Sequence, residues 1–469
     1  MEDTTIAISR LINKKKWDYS FHSQLSLQTE EHLKNTSFEI QKLGKLVAEI
    51  ADGLHSIRHY VDDGIVMLAV RNITEFGLDL SNKKMITQAE HDHLKRSQVQ
   101  PGDLLVTITG RLGTALVYTS VKPANLSAHV ALVKVHANKV NPYYLAAYLN
   151  SNFGKQLLNE YSIGSIYPHI NVNGLQNVQI VLPLRPIQDR IAQIMQDAYI
   201  TYQNRLTQAE QIEANAKNYV LDKLGANLSQ IEDVKGFIIP NTNFIRQRFD
   251  VSYHTFHKIA FFDGFSKEFN LIPLGTIIED DSYGILTPGD VYSSEHPITY
   301  IRVTDMREYM QINLEYVLKV PEEYYRHKRA RLKKFDVILA VKGASIASRK
   351  SVVFIDEVLS KTIVNGTIFR FQVKKEHNPF YVAVMLDSEI LKGQIRKLQI
   401  SNNAVAYVDK ASIHALRLPL PPRSLQDHIA EVMQDTYTQA KSLYLQAENL
   451  LTEAKASVER MILGEEDVT

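Results

Sequence analysis

The chain has 469 residues, too many for one hydrophobic core and enough for two to four domains. Hydrophobic residues make up 45% and charged residues 22%, an ordinary globular balance without the bias of a disordered chain. A net charge of +1 excludes a basic surface over the whole molecule, and zero cysteines exclude disulfides, thiolate zinc sites and cysteine nucleophiles.

The N-terminus, MEDTTIAISRLINKKKW, has no apolar core followed by a cleavage site, and no apolar run approaches membrane-spanning length. The expected location is the cytoplasm, with no membrane association. Residues 1–16 read as a short arm or helix. From residue 17 the chain is organised as a repeat. Trp17–His22 is matched by Phe249–His254, and Leu43-Gly44 by Leu274-Gly275. Ile65–Val70 pairs with Ile298–Val303, Gly102–Ile108 with Phe335–Val341, and Leu126–Val135 with Val364–Val373. These stretches alternate or run apolar with β-branched residues, which predicts strands. Asn141-Pro142-Tyr143-Tyr144 and Asn378-Pro379-Phe380-Tyr381 each open a short helix, with Asn as N-cap and Pro in the first turn.

A last strand, Gln179–Leu182 or Ala415–Leu418, runs into prolines and then into a long amphipathic segment. Gln188–Gly225 and Gln426–Leu463 share Met195-Gln196-Asp197/Met433-Gln434-Asp435, Tyr199/Tyr437, Gln208-Ala209-Glu210/Gln446-Ala447-Glu448 and Ala216-Lys217/Ala454-Lys455. Their apolar or small residues recur at the three-and-four spacing of one helix face. Each predicts a helix of about 40 residues, roughly 60 Å at 1.5 Å per residue. A helix that long needs a partner along its seam, and the expected partner is the other copy, in an antiparallel coiled coil. The expected fold is α+β. Two tandem globular α/β domains, 17–185 and 249–420, are each followed by a long helix, 186–225 and 421–464, with a linker at 226–248.

Enzyme motifs fail on inspection. Asn141-Pro-Tyr-Tyr lacks the second proline of the adenine-methyltransferase loop and recurs as Asn378-Pro-Phe-Tyr, so helix capping is the better reading. Gly343–Ser351 has Ser348 and Arg349 where a phosphate-binding loop needs Gly and Lys. His91/His93 and His254/His257 have no further ligand at useful spacing for a metal. Ala340 stands where a nuclease pattern on Asp336 and Lys342 needs a second carboxylate. No catalytic residue, metal or cofactor is expected.

Binding chemistry is more legible. Before the central strand of the second repeat, Tyr324–Lys334 carries Arg326, Lys328, Arg329 and Arg331. The first repeat has Lys95 and Arg96, aligned with Lys328 and Arg329. Such residues beside tyrosines suit phosphate contacts. After the central strand each repeat has a glycine turn, with Thr109 and Arg111 in the first and Lys342, Ser345, Arg349 and Lys350 in the second. Glycine lets the backbone approach a ligand, and Arg or Lys can read guanine in the major groove. A third candidate is Gly164–His169, with Tyr167 and His169, facing Ser401–Val405, with Asn402 and Asn403.

These features together resemble the specificity subunit of type I restriction-modification enzymes over nearly the whole chain. The resemblance rests on the duplicated domain–helix plan and on Gly102-Asp103-Leu104-Leu105 and Phe335-Asp336-Val337-Ile338, each before a glycine turn. It rests also on the junctions Leu182–Ile191 and Leu418–Ile429, where Leu-Pro leads through prolines to Gln at the helix start; the family usually has Glu before that Gln, where this chain has Ile187 and Leu425. The resemblance implies a DNA-reading subunit without an active site of its own. Its two target-recognition domains would each read half of a bipartite double-stranded site, with the helices as a ruler. Partners would be two methyltransferase (modification) subunits, which use S-adenosylmethionine, and restriction (motor-nuclease) subunits joined through them. Alternatives are a recognition subunit of another restriction or phage-defence system, and a coiled-coil scaffold whose domains bind protein or glycan.

Overall fold

A computed structural model describes residues 29, 31, 33–53, 59–164, 168–225, 269–357, 360–402 and 405–466. The expected N-terminal arm, the linker 226–248, the matched segments at 17–22 and 249–254, and the candidates Tyr167 and Asn403 lie outside the described residues. The chain forms two compact units, 1–206 with 445–469, and 207–444. The α+β class holds in both.

The first unit is built on an antiparallel sheet in the order Val47–Asp52, Val130–Val135, Leu104–Thr107, Ala115–Val117. A second sheet runs Lys84–Ile86, Ile65–Leu68, Ala124–Leu126, Gln98–Val99, with its two middle strands parallel. The second unit repeats this plan. Ile278–Tyr283, Ile368–Val373, Val337–Ala340 and Val352–Phe354 form one sheet, and Leu318–Val320, Ile298–Ile301 and Thr362–Val364 the other. The central strands, Leu104–Thr107 and Val337–Ala340, are buried along their whole length. This explains their unbroken apolar sequence, since both faces are covered.

The structure corrects one strand expectation. The predicted strands Leu126–Val135 and Val364–Val373 are each broken in two, and the halves belong to different sheets. In the second unit the break is an Asx turn: Asn365 Oδ1 accepts hydrogen bonds from Thr367 N at 2.8 Å and Thr367 Oγ1 at 2.7 Å. A glycine from the neighbouring strand end makes room for each break. A Cβ on Gly53 would lie 2.3 Å from the Leu126 carbonyl oxygen, and one on Gly284 would lie 2.0 Å from that of Val364.

The long helices span Arg185–Lys223 and Arg423–Leu463, and Gly225 (φ 62°) and Gly464 (φ 76°) follow them in the left-handed conformation. In the first unit Ile191, Met195, Ala198 and Tyr202 share a core with Ala447, Leu451, Val458 and Met461. In the second, Val220 and Leu221 share one with Ile429, Met433 and Tyr437.

Each unit fastens the start of a long helix in the same way. Asn141 Oδ1 caps its short helix by accepting from Tyr143 N at 2.8 Å, while Asn141 Nδ2 donates to Asp189 at 2.7 Å. Gln188 Oε1 accepts from Asn141 N at 2.9 Å, and its amide donates to the Pro183 carbonyl at 2.8 Å. Asn378, Asp427, Gln426 and Pro421 repeat all four roles. The recurring Asn-Pro and Gln-Asp pairs are therefore two halves of one joint.

Candidate nucleic-acid interface

In both units the central strand ends in the glycine turn, and that turn is held against the third candidate segment. Thr109 bridges His169, Ile170 N donates to the Ile108 carbonyl at 3.0 Å, and Ile163 and His169 exchange backbone bonds at 2.7 and 2.9 Å. In the second unit Lys342 bridges Tyr407, and Gly343 N donates to the Ala406 carbonyl at 2.8 Å. Tyr407 belongs to the hairpin Ile400–Asn402/Val405–Tyr407, which carries Asn402 next to its tip. Sequence segments more than fifty residues apart thus meet at one end of the sheet.

The turns themselves differ. In the first, Gly110 and Gly113 adopt φ of 68° and 81°. Thr107 Oγ1 donates to the Arg111 carbonyl, and the exposed Arg111 side chain donates to the Val70 carbonyl at 3.1 Å. In the second, Gly343 (φ 83°) opens a longer turn, Lys342–Lys350, whose Ile346 and Ala347 are buried in the core. Lys342 and Lys350 are exposed and Ser345 is half-buried. Arg349 is engaged by three carboxylates, Glu213 at 2.7 Å, Glu210 at 3.1 Å and Glu308 at 3.5 Å.

The basic runs come from the segments that precede the central strands in the chain. Lys95 and Arg96 occupy a helical turn, Lys95–Ser97; both are exposed, and Arg96 is 3.4 Å from Asp52. Arg326, Lys328 and Arg329 are exposed on the turns Glu322–Arg326 and Lys328–Ala330. Arg331 is half-buried: its guanidinium lies 4.1 Å from the Tyr325 ring centroid, and Nε donates to the Tyr325 carbonyl at 2.6 Å. The candidates therefore fall into two groups in each unit, one on the turn that follows the central strand and one on the helical turns that precede it.

Asp103 and Asp336, the second residues of the Gly-Asp and Phe-Asp pairs, are structural. Asp103 accepts from Gln100 N and Asp336 from Lys333 N, both at 2.8 Å, closing the turn before the strand. Asp336 also forms a two-pronged pair with the buried Arg370, at 2.9 and 3.0 Å. Burial opposes the charge on Arg370, and the Asp336 and Asp280 carboxylates more than offset it, so its pKa is raised.

Sequence reasoning missed a charged cluster where each globular part meets a long helix. In the first unit Glu75 binds Lys455, and also Lys155 at 3.0 Å, with Tyr199 OH 3.5 Å away. In the second, Asp387 binds Lys392 at 2.6 Å, Lys217 at 2.8 Å and Tyr437 OH at 2.9 Å. Lys217/Lys455 and Tyr199/Tyr437 are the identities that marked the helix repeat, so the signal was present and lacked only a partner. Among the described residues no three His, Asp or Glu side chains gather as metal ligands, and no helix is long and apolar enough to cross a membrane.

Residues 73–216 match the family described as type I restriction modification DNA specificity domain. The resemblance read from the duplicated plan is thus supported where the first glycine turn and the first long helix lie. The type I restriction enzyme EcoBI specificity subunit of Escherichia coli is 27% identical over 123 residues, 26% of this chain and 26% of the relative. The putative type I restriction enzyme MjaX specificity subunit of Methanocaldococcus jannaschii is 23% identical over 187 residues, 37% of this chain and 44% of the relative. The matches thus span a quarter to less than half of these relatives. The solved type I restriction-modification S subunit from M. genitalium is 11% identical, with a TM-score of 0.47 over 93% of this chain and 98% of that one.

Proposed function

We propose that this protein is the DNA-recognition subunit of a type I restriction-modification complex and that it carries out no chemistry itself. Its target-recognition domains, 17–185 and 249–420, each read one half of a bipartite double-stranded site. The turns at Thr109–Arg111 with His169, and at Lys342–Lys350 with the 400–407 hairpin, face base edges. The exposed basic residues Lys95 and Arg96, and Arg326, Lys328 and Arg329, hold phosphates.

The observation that carries this reading is the repeated assembly of a glycine turn and a distant loop at one end of a buried strand, in a chain whose first copy matches a DNA specificity domain. A shared framework with divergent loops is what two readers of different half-sites require. The long helices pair as an antiparallel coiled coil and set the distance between half-sites; that Tyr202 meets Glu448 while the later Tyr219 meets the earlier His428 supports this direction. On the same reading, two adenine-methylating modification subunits dock on the complex, one per half-site, and restriction subunits join through them.

The test is the pattern of methylated adenines in the host genome, read by long-read sequencing with and without this gene. One bipartite motif should vanish with the gene. Exchanging residues 40–180 for the matching part of another such subunit should change one half of the motif. A genome pattern indifferent to the gene, or a change in both halves, would defeat the reading.

A further inference from the structure

The two glycine turns differ in how they are held. The first is short, and its Arg111 donates to the Val70 carbonyl of its own globular part. The second is nine residues long and is fixed from three sides. Gly343 N is bonded to the 400–407 hairpin, and the Ala347 carbonyl accepts from Arg396 Nη2 at 3.2 Å. On the third side Arg349 reaches the first long helix, where Glu210 and Glu213 sit one turn apart, and Glu308 closes the site from the 306–312 hairpin. Ala347, two residues before Arg349, has φ of 52°, a left-handed conformation that a non-glycine residue adopts only when its surroundings impose it. Glu213 is nearly buried and also binds Lys217 at 2.6 Å, so the clamp continues into the Asp387 cluster at the foot of the globular part.

We propose that Arg349 is a positioning residue that locks the base-reading turn of the second domain onto the first long helix, without touching DNA itself. A guanidinium already surrounded by three carboxylates is electrostatically neutralised towards a phosphate, because presenting it to DNA would bring those carboxylates to the same polyanion. What the clamp supplies is the placement of Lys342, Ser345 and Lys350, which ride on the turn. The consequence reaches beyond this one interaction: half-site reading and the state of the ruler helix share an element, so bending or shifting that helix alters recognition by the second domain.

This inference rests on the reading of the protein as a DNA-recognition subunit. The test uses the full chain assembled with its modification subunits, and measures binding to the cognate site and to sites with one base pair changed in either half. Wild-type discrimination in both halves is the control; its absence would defeat the functional reading and not this one. With that control met, Arg349→Gln should lower discrimination in one half-site by about tenfold, the scale of a single mismatched base pair, and leave the other half-site unchanged. The slope of log affinity against log salt should stay as in the wild type. Glu213→Gln should produce the same one-sided loss, and the double variant should lose no more than either single one. A slope shallower by about one in Arg349→Gln, with Glu213→Gln neutral or tighter-binding, would make Arg349 a phosphate ligand and overturn the proposal. A uniform loss at both half-sites would overturn it too, since that marks general destabilisation. Arg349→Lys, which keeps the charge but not the fork that spans Glu210 and Glu213, should restore at most part of the discrimination.

Discussion

Lys328 and Arg329 are exposed to solvent on their helical turn, whereas Arg331 directs its guanidinium to the Tyr325 ring and carbonyl. The three residues therefore divide by role although they are neighbours in sequence. Replacing Lys328 and Arg329 together by Ala should flatten the salt dependence of DNA binding by about two units of log–log slope, since each phosphate neutralised contributes about 0.9. Arg331→Ala should add little to that change and should instead cost about 1 kcal/mol of stability, by removing the cation–π interaction and the hydrogen bond. Binding titrations across a salt series, beside urea melts, separate the two. Gly284 gives a second residue-level expectation. A Cβ there meets the Val364 carbonyl oxygen at 2.0 Å and the Asn365 one at 2.4 Å, both backbone and therefore unable to swing away. Gly284→Ala should cost about 3 kcal/mol in a urea melt, as overpacking against backbone does. Gly343→Ala, which meets open space but keeps φ of 83°, should cost only about 1 kcal/mol. Equal costs would show that the two glycines serve the same purpose.

Where a long helix meets a globular part, the element-level question is what holds the joint. Asp387 lies buried between Lys217 of the first long helix, Lys392 of a short helix and Tyr437 of the second long helix. Burial pushes its carboxyl up, and the Lys217 and Lys392 ammonium groups more than offset this, so its pKa is lowered from the ordinary 3.8. A carboxyl whose pKa is lower in the folded than in the unfolded chain contributes stability above the unfolded value, and loses it as pH falls through the folded one. Stability from this joint should therefore be complete at neutral pH and decline below about pH 4. Asp387→Asn should cost about 3 kcal/mol at pH 7, because it leaves the buried Lys392 ammonium without its carboxylate and the half-buried Lys217 with Glu213 alone. It should also remove this part of the acid-dependent decline, as urea midpoints from pH 7 to pH 3 would register. A variant as stable as the wild type at pH 7, with an unchanged acid profile, would show that the joint does not depend on the carboxylate. Glu75 is likewise lowered, burial again opposing Lys455 and Lys155. The carboxylate has thus moved from one element to another between the copies while the two lysines and the tyrosine stayed. An ion cluster tolerates such a move because it constrains where charges meet and not which backbone carries them.

At the scale of the molecule, the expectation concerns the ruler. Four residues inserted in both long helices, after Leu206 and after Tyr444, add about 6 Å along the axis and turn the helix by roughly 40°, so the apolar seam is kept. The methylated motif should then carry a spacer longer by one or two base pairs, at about 3.4 Å each. Two-residue insertions at the same places turn each helix by about 200° and should abolish methylation, because the seam residues then face solvent. Genome-wide modification sequencing reads both variants. An active four-residue variant on an unchanged spacer would remove the helices from that role.

Periodicity and self-similarity are local or near-local properties, and they made much of this protein legible in its sequence. The three-and-four spacing in Gln188–Gly225 and its copy, the apolar runs at Leu104–Ile108 and Val337–Val341, and the Asn-Pro caps each follow from which face of a helix or strand must leave water. The Lys95-Arg96 and Lys328-Arg329 pairs were visible because charge in a neutral chain is conspicuous. Tertiary structure alone decided which distant residues complete these elements. It broke Leu126–Val135 and Val364–Val373 at a sheet crossing, since strand propensity does not say which sheet a strand joins. It separated Arg331 from Lys328 and brought Thr109 to His169 and Lys342 to Tyr407. It also surrounded Arg349 with carboxylates from a helix and a hairpin far away in the chain. A basic residue in a turn carries no sign of where its charge will be met, because ion pairing depends on the placement of both partners and the sequence displays only one at a time.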